Sequence, residues 1–239
     1  MQFTVVIATI RQTLPGFDET MDRIRSSFES PVDFHILDGS AGKAQALNQA
    51  YDEILAKTDA GIYVTMDDDI VPSKGWQCVV ERAFDELREY GAFGLYMGDA
   101  PARRALVGEK FLEPEEHVAS VRFRRVVPPH HLNGGFIAYR SDVAKKVGKI
   151  PTEGVRYQLW EDAWRGRRVT KLGWEMAFLM GVDVDMVDYP DTNEYLAMKA
   201  KDLEIGRQRS ERILADSGLG DPLGIRARKW LARVTGRAK

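Results

Sequence analysis

The chain is poor in the residues that would give it thiol or soft-metal chemistry. Cys78 is the single cysteine among 239 residues, which excludes an intrachain disulfide and any cysteine-rich zinc site. Histidine is scarce too: His35, His117, His130 and His131 complete the set, and none lies beyond position 131. No run approaches the roughly 18 apolar residues that a membrane-spanning helix needs. The opening segment Gln2-Phe3-Thr4-Val5-Val6-Ile7-Ala8-Thr9 has no basic residue before it and is too short for the apolar part of a signal peptide; it reads as a first strand. A large excess of one charge is also missing. The formal net charge is −2, which argues against a general nucleic-acid binder. Neither repeats nor low-complexity stretches interrupt the chain. These absences together lead to the expectation of a soluble, cytoplasmic protein.

What is present is an ordinary globular composition, 44% hydrophobic and 29% charged, enough to bury a sizeable core. The charge is unevenly placed. From Gly224 onward come Arg226, Arg228, Lys229, Arg233, Arg237 and Lys239 with no acid, so the net −2 conceals a tail of +6 and a body of −8. Ile225, Trp230, Leu231 and Val234 interleave with those cations. A short amphipathic helix of that kind could rest on an anionic bilayer, at the inner face of the membrane, with a frayed, solvated terminus as the alternative. The organisation expected is one domain over 1–218 followed by a basic tail over 219–239.

Along the first ninety or so residues, strand-like and helical patterns alternate. Strands are expected near Phe3–Thr9, Asp33–Leu37 and Gly61–Met66, with helices near Gly16–Phe28 and Lys43–Lys57. That βαβαβ order implies an α/β fold with a parallel sheet and right-handed crossovers. Thr9, Asp38 and Asp67 then fall at strand ends, where open α/β sheets bind ligands. Further on, Ser73 reads as the cap of a helix carrying Trp76, Val79, Val80, Ala83, Phe84 and Leu87. A strand over Ala92–Met97 follows, then an irregular stretch and a basic strand at Arg122–Arg125. His131–Arg140 joins a turn to a strand, Glu161-Asp162 enters a helix running to about Leu172, and Met176–Val182 reads as a strand.

The most informative stretch is Gly61-Ile62-Tyr63-Val64-Thr65-Met66-Asp67-Asp68-Asp69, an apolar strand that stops at three consecutive acids. Adjacent carboxylates at a strand end repel one another and are costly to desolvate unless a cation sits among them. A divalent metal is one such cation, and hard oxygen ligands favour Mg²⁺ or Mn²⁺ with positions left for substrate phosphates. Strand alternation would put Asp67 and Asp69 on one side and Asp68 on the other. A solvated acidic turn, with Pro72 and Ser73 downstream, is the plain alternative. Glu161-Asp162 likewise reads two ways, as a catalytic pair or as acids favoured by a helix dipole.

In order and spacing these pieces resemble the GT-A glycosyltransferases, above all the inverting family 2 enzymes. Thr4–Thr9 looks like their opening strand, and Leu37-Asp38-Gly39-Ser40 like the strand end that reads the nucleotide base. Gly42-Lys43-Ala44-Gln45-Ala46-Leu47-Asn48 is similar to the helix start that follows it. Asp67-Asp68-Asp69 stands where the family has Asp-x-Asp, and the Gly134-Gly135 strand with Arg140 resembles the acceptor-side segment. Glu161-Asp162, trailed by Arg168, Gly173 and Trp174, looks like the Glu-Asp motif. The resemblance covers about residues 3–182.

The resemblance implies a GT-A fold, with a mostly parallel central sheet flanked by helices. It implies transfer of a sugar from a UDP-sugar or related donor to a carbohydrate or lipid-linked acceptor, with inversion. Ala8, Thr9, Arg11, Asp38, Lys43, Asp67 and Asp68 would line the nucleotide site, with an ordinary solvated lysine as the alternative at Lys43. Asp69 and Asp67 would hold Mn²⁺ or Mg²⁺. Asp162 would be the general base with Glu161 beside it, and Gly134, Gly135 and Trp160 would face the acceptor. The sequence departs from the family in two places: no late histidine completes the metal site, so water, the diphosphate or one of the acids at Asp183 to Asp188 would fill that place, and Leu37 stands where relatives often have a second acid.

Two other classes fit parts of the pattern. Ile62–Val71 satisfies the strand-Asp-x-Asp-x-Val motif of haloacid-dehalogenase phosphatases, in which Asp67 would be a nucleophile and Asp69 an acid, although that motif normally lies on a first strand. A non-catalytic nucleotide- or glycan-binding module on the same scaffold is the other.

Overall fold

The computed structural model describes residues 1–57, 61–97, 111–128, 130–152 and 161–189. In chain order the described elements are β1 (Phe3–Thr9), α1 (Phe17–Ser26), β2 (Val32–Asp38), α2 (Lys43–Glu53), a short 3₁₀ turn (Leu55–Lys57), β3 (Ile62–Met66), β4 (Ile70–Pro72) and α3 (Trp76–Glu86). They continue with β5 (Tyr90–Leu95), β6 (Leu112–Val118), β7 (Val121–Val126), β8 (Phe136–Arg140), α4 (Ser141–Val147), α5 (Glu161–Lys171), β9 (Glu175–Leu179) and β10 (Val184–Met186). The protein is a mixed α/β structure. Eight strands form one sheet in the order β2-β1-β3-β8-β5-β9-β7-β6, and β4 pairs with β10 in a separate two-stranded ribbon. Only β8 and β7 run against the other six strands of the main sheet.

Alternation along β1 explains the layering. Phe3, Val5 and Ile7 face one core with Phe17, Met21 and Ile24 of α1 and Trp76, Val80 and Phe84 of α3. Val6 faces the other, with Ala44, Leu47 and Ala50 of α2, Val143 of α4 and Trp164 and Val169 of α5. A sheet covered on both sides has no solvated face, so β1, β3 and β5 read as nearly continuous apolar runs. Trp76 is the hub of the first core: fully buried, it meets Phe3 edge-on at 5.2 Å and Phe136 at 5.3 Å. Burying a large apolar side chain of this kind contributes on the order of 1.5–3 kcal/mol.

Two local expectations change. Ser73 does not cap α3; its N–H bonds the Asp183 carbonyl at 2.8 Å, extending the β4–β10 ribbon, and the helix begins after Gly75. The described part of the stretch before the basic strand is also regular: β6 is an outer strand with Pro114, Glu115, Glu116 and His117 exposed, a pattern that protects a sheet edge and hides its periodicity.

Sheet register fixes where the functional residues gather. Parallel pairing sets Thr9 beside Asp38 and Ile7 beside Met66, so the chain leaves β1, β2 and β3 at one edge. Antiparallel pairing of Met66 with Phe136 brings the start of β8 to that edge.

Candidate active site

The three acids lie beyond the end of β3, in a turn closed by the Ile70 N–H on the Asp67 carbonyl. Alternation therefore does not govern them. Asp68 and Asp69 share the Arg11 guanidinium, at 2.8 Å and 3.2 Å, whereas Asp67 turns to Lys43 at 2.6 Å. The grouping expected from an extended strand, Asp67 with Asp69, is corrected by the turn. Asp68 is buried and also accepts a hydrogen bond from the Thr9 hydroxyl, which in turn accepts the Arg11 N–H at 2.9 Å. Burial, then Asp67 and Asp68, push the Asp69 carboxyl above its ordinary value, while Arg11 pulls it back.

On the β2 side, Asp38 is exposed and accepts both the N–H and the hydroxyl of Ser40, at 2.8 Å and 2.7 Å, which lowers its pKa. This is an Asx turn. The Gly39 N–H bonds the Thr9 carbonyl at 2.8 Å, tying the β1 and β2 loops together. Ala8 sits opposite Leu37 and packs against the second core.

Lys43 opens α2, a place where a cation opposes the helix dipole. Its ammonium is held there by acids, at 2.6 Å from Asp67 and 3.5 Å from Glu161, and is not an ordinary solvated lysine. Burial works against its charge, but Asp67, Glu161 and Asp162 outweigh burial and raise its pKa well above the usual lysine range.

Glu161 and Asp162 form the first turn of α5. Glu161 is buried, and its Oε2 has no hydrogen-bond partner among the described residues. Burial followed by the neighbouring Asp162 raises the Glu161 carboxyl; burial also raises Asp162, against the pull of Lys43 and Arg165. The Gly134 N–H donates to the Asp162 carboxylate. That approach is so close that a Cβ at Gly134 would lie 2.5 Å from Asp162 Oδ2. A second glycine permits the same closeness one turn along the helix, since a Cβ at Gly166 would lie 2.5 Å from the Cβ of His131. Gly135 accepts the Asp67 N–H at 2.9 Å, so the His131–Gly135 segment touches both acid groups. His131 is held neutral, its pKa lowered to about 4 by burial and by nearby Arg167 and His130.

The structure thus brings together Thr9, Arg11, Lys43, Asp67, Asp68, Asp69, Gly134, Gly135, Glu161 and Asp162. Trp160 and the basic tail lie outside the described residues. Trp164, beside the acids in sequence, is packed in the second core. Asp185 turns to Arg23 of α1 instead of toward the acids. Among the described residues no three His, Cys, Asp or Glu side chains converge as a metal-binding group. The oxygen-only donor set at Asp67 and Asp69 still fits Mg²⁺ or Mn²⁺, which are commonly held by one or two carboxylates with the rest of the shell supplied by water and phosphate.

Two residues of the site were not singled out from the sequence. Tyr189 returns from β10 to place its buried ring 5.0 Å from the Arg11 guanidinium carbon. Arg165 is buried on α5, three residues beyond Asp162. Helical spacing of a cation after an acid pair was the available clue for Arg165; nothing local marks Tyr189.

No family model matches this chain, and no curated protein does either. Solved structures do. A mannosyltransferase from Pyrobaculum calidifontis, PcManGT, solved with GDP-Man and Mn²⁺, superposes with a TM-score of 0.53 over 88% of this chain at 17% identity. The fold is GT-A. A197 from STIV superposes with a TM-score of 0.51 at 15% identity, covering 79% of this chain and 87% of A197. The present chain spans 64% of the mannosyltransferase's length. At these identities the likeness carries the GT-A architecture, and the chemistry has to be argued from the side chains.

Proposed function

We propose that this protein transfers a glycosyl unit from a nucleotide-diphosphate donor, UDP-linked in our reading, to a hydroxyl of a carbohydrate or lipid-linked acceptor, with inversion at the anomeric carbon. The observation that carries this reading is the Lys43 ammonium bridging Asp67 and Glu161. One cation ties the acids after β3 to the acid pair on α5, so a donor bound at the first lies next to a base at the second.

Asp162 takes the proton from the acceptor hydroxyl as that oxygen attacks from the face opposite the leaving group. Gly134 holds the carboxylate through its N–H, and Arg11 and Lys43 place positive charge beside the departing diphosphate. Asp69 and Asp67 are the residues that would hold Mn²⁺ or Mg²⁺, whose chemistry here is Lewis-acid neutralisation of the leaving phosphates. Asp38 with Ser40 stands at the base-reading end. The mannosyltransferase neighbour bound to GDP-Man supports a nucleotide-sugar donor as a class.

The test is a thermal-shift panel of UDP, GDP, CDP and ADP with and without Mn²⁺, followed by turnover of the matching nucleotide sugars. Asp69→Ala is expected to abolish metal-dependent nucleotide stabilisation. Asp162→Asn is expected to keep it and to cut transfer to a small residual rate. The reverse pattern, or stabilisation by no nucleotide, refutes the assignment.

A further inference from the structure

Arg165 is an expensive residue for its surroundings. It is 5% exposed, and among the described residues no carboxylate lies within ion-pair distance of it. Its guanidinium meets neutral hydroxyls, with Nη1 at 3.5 Å from the Thr65 hydroxyl of β3 and the Tyr63 phenol beside it, and its Nε has no hydrogen-bond partner among the described residues. The guanidinium carbon lies 5.1 Å from the centre of the Tyr139 ring on β8. Tyr63 and Tyr139 are both buried, and burial raises both phenols, Tyr139 to about 12, so neither supplies a counter-charge near neutral pH. A buried cation without a counter-charge in contact is destabilising, and an apolar side chain of similar volume is often neutral or better in such a place.

The charge has one evident beneficiary. Asp162 and Arg165 are three residues apart on α5 and so share a helix face. That face lies on β3 and β8, through Thr65 and Tyr139, and the Gly134 N–H meets Asp162 where the chain enters β8. Asp162 therefore has Lys43 on the nucleotide side and Arg165 on the interior side, with Glu161 and Asp67 as the acids around it.

We propose that Arg165 is a positioning residue that acts through Asp162, holding the carboxylate from the sheet side in the orientation that meets the acceptor hydroxyl. This rests on the reading of Asp162 as general base. The Tyr139 face fixes the planar guanidinium by cation–π contact, so the interior charge has a defined place and does not wander with solvent.

The experiment is Arg165→Met in the full chain, with Arg165→Lys as the conservative variant and each combined with Asp162→Asn. Removing the buried cation is expected to leave the melting temperature unchanged or higher while kcat falls on the order of 100-fold, as for a catalytic group displaced by about 1 Å. KM for the nucleotide sugar and the affinity for the free nucleotide stay at wild-type values. R165K recovers most of kcat. In the D162N background R165M costs nothing further, because the two residues act as one unit. The amide resonance of Gly134, which reports the hydrogen bond to Asp162, shifts in R165M and returns in R165K. Should R165M not fold, Arg165→Gln, which keeps a polar head beside Thr65, carries the same comparison. Wild-type kcat together with an unmoved Gly134 amide in R165M overturns the proposal, as does an equal loss of kcat with and without Asp162. If the wild-type chain transfers no sugar, the functional reading fails by itself, and the Gly134 resonance still decides whether Arg165 positions Asp162.

Discussion

Gly134→Ala offers a sharp test of the geometry, because one methyl group is directed at one carboxylate. The added Cβ would stand 2.5 Å from Asp162 Oδ2, 2.6 Å from Oδ1 and 2.8 Å from Cγ. Ordinary contact begins near 3.4 Å, so the carboxylate or the loop has to give by about 1 Å, a displacement that costs on the order of 100-fold when it moves a reacting group. Gly134 is not among the residues with positive φ, so alanine adds no backbone strain and the effect is steric. Overpacking of this kind costs about 1–3 kcal/mol of stability. The assay is transfer kinetics alongside nucleotide binding and thermal melting. The expected outcome is a kcat lower by roughly two orders of magnitude, nucleotide affinity unchanged, and a modest fall in melting temperature. Gly135→Ala is the control: its Cβ would meet the flexible end of Met97 at 3.1 Å, which can move aside. If G134A turned over within a few-fold of wild type, Asp162 could not be the base in the position described.

The carboxyl of Glu161 is raised by burial and by Asp162, so its contribution to stability is present at low pH and is lost as pH rises through the shifted value. Glu161→Gln should therefore gain melting temperature relative to wild type above neutrality and gain little near pH 5, read by melting curves across the pH range; a difference that grows as pH falls would contradict the sign. The basic tail can be tested by co-sedimentation of the full chain and of a version lacking residues 224–239 with vesicles containing anionic lipid. Loss of binding in the shorter version is expected, and equal binding by both rejects a membrane role.

Much of the first half of the fold was legible because its strands are covered on both faces. Phe3–Thr9 and the run ending at Met66 have no polar alternation to blur them, and the acids that follow are conspicuous for that reason. The expectation for the Thr9, Asp38 and Asp67 edge follows directly from parallel order. The sequence was less informative where pairing partners are distant. Ile70–Pro72 is three residues long and becomes a strand only because Val184–Met186 comes back to it. The outer strand β6 shows no alternation because glutamates and Pro114 shield it. The grouping of the three acids depended on where the strand stops, and a turn one residue after Met66 reassigns Asp68 and Asp69 to Arg11. Arg165 escaped notice because charge inside a core runs against composition-based expectation, and only the packed helix shows that it is inside.

The ribbon of β4 and β10 has a consequence for what this chain can tolerate. It is closed by main-chain contacts: Ser73 to Asp183 at 2.8 Å, and the Val187 N–H to the Asp69 carbonyl at 2.9 Å. Such links are indifferent to side-chain identity but sensitive to spacing. The exposed Asp183, Asp185 and Met186 should therefore accept exchanges more freely than Val184 and Val187, which pack against the first core, whereas inserting or deleting a single position there would pull the Asp69 corner out of line and drag the Tyr189 ring off Arg11, so drift in this region would show up as changes of letter and not of length.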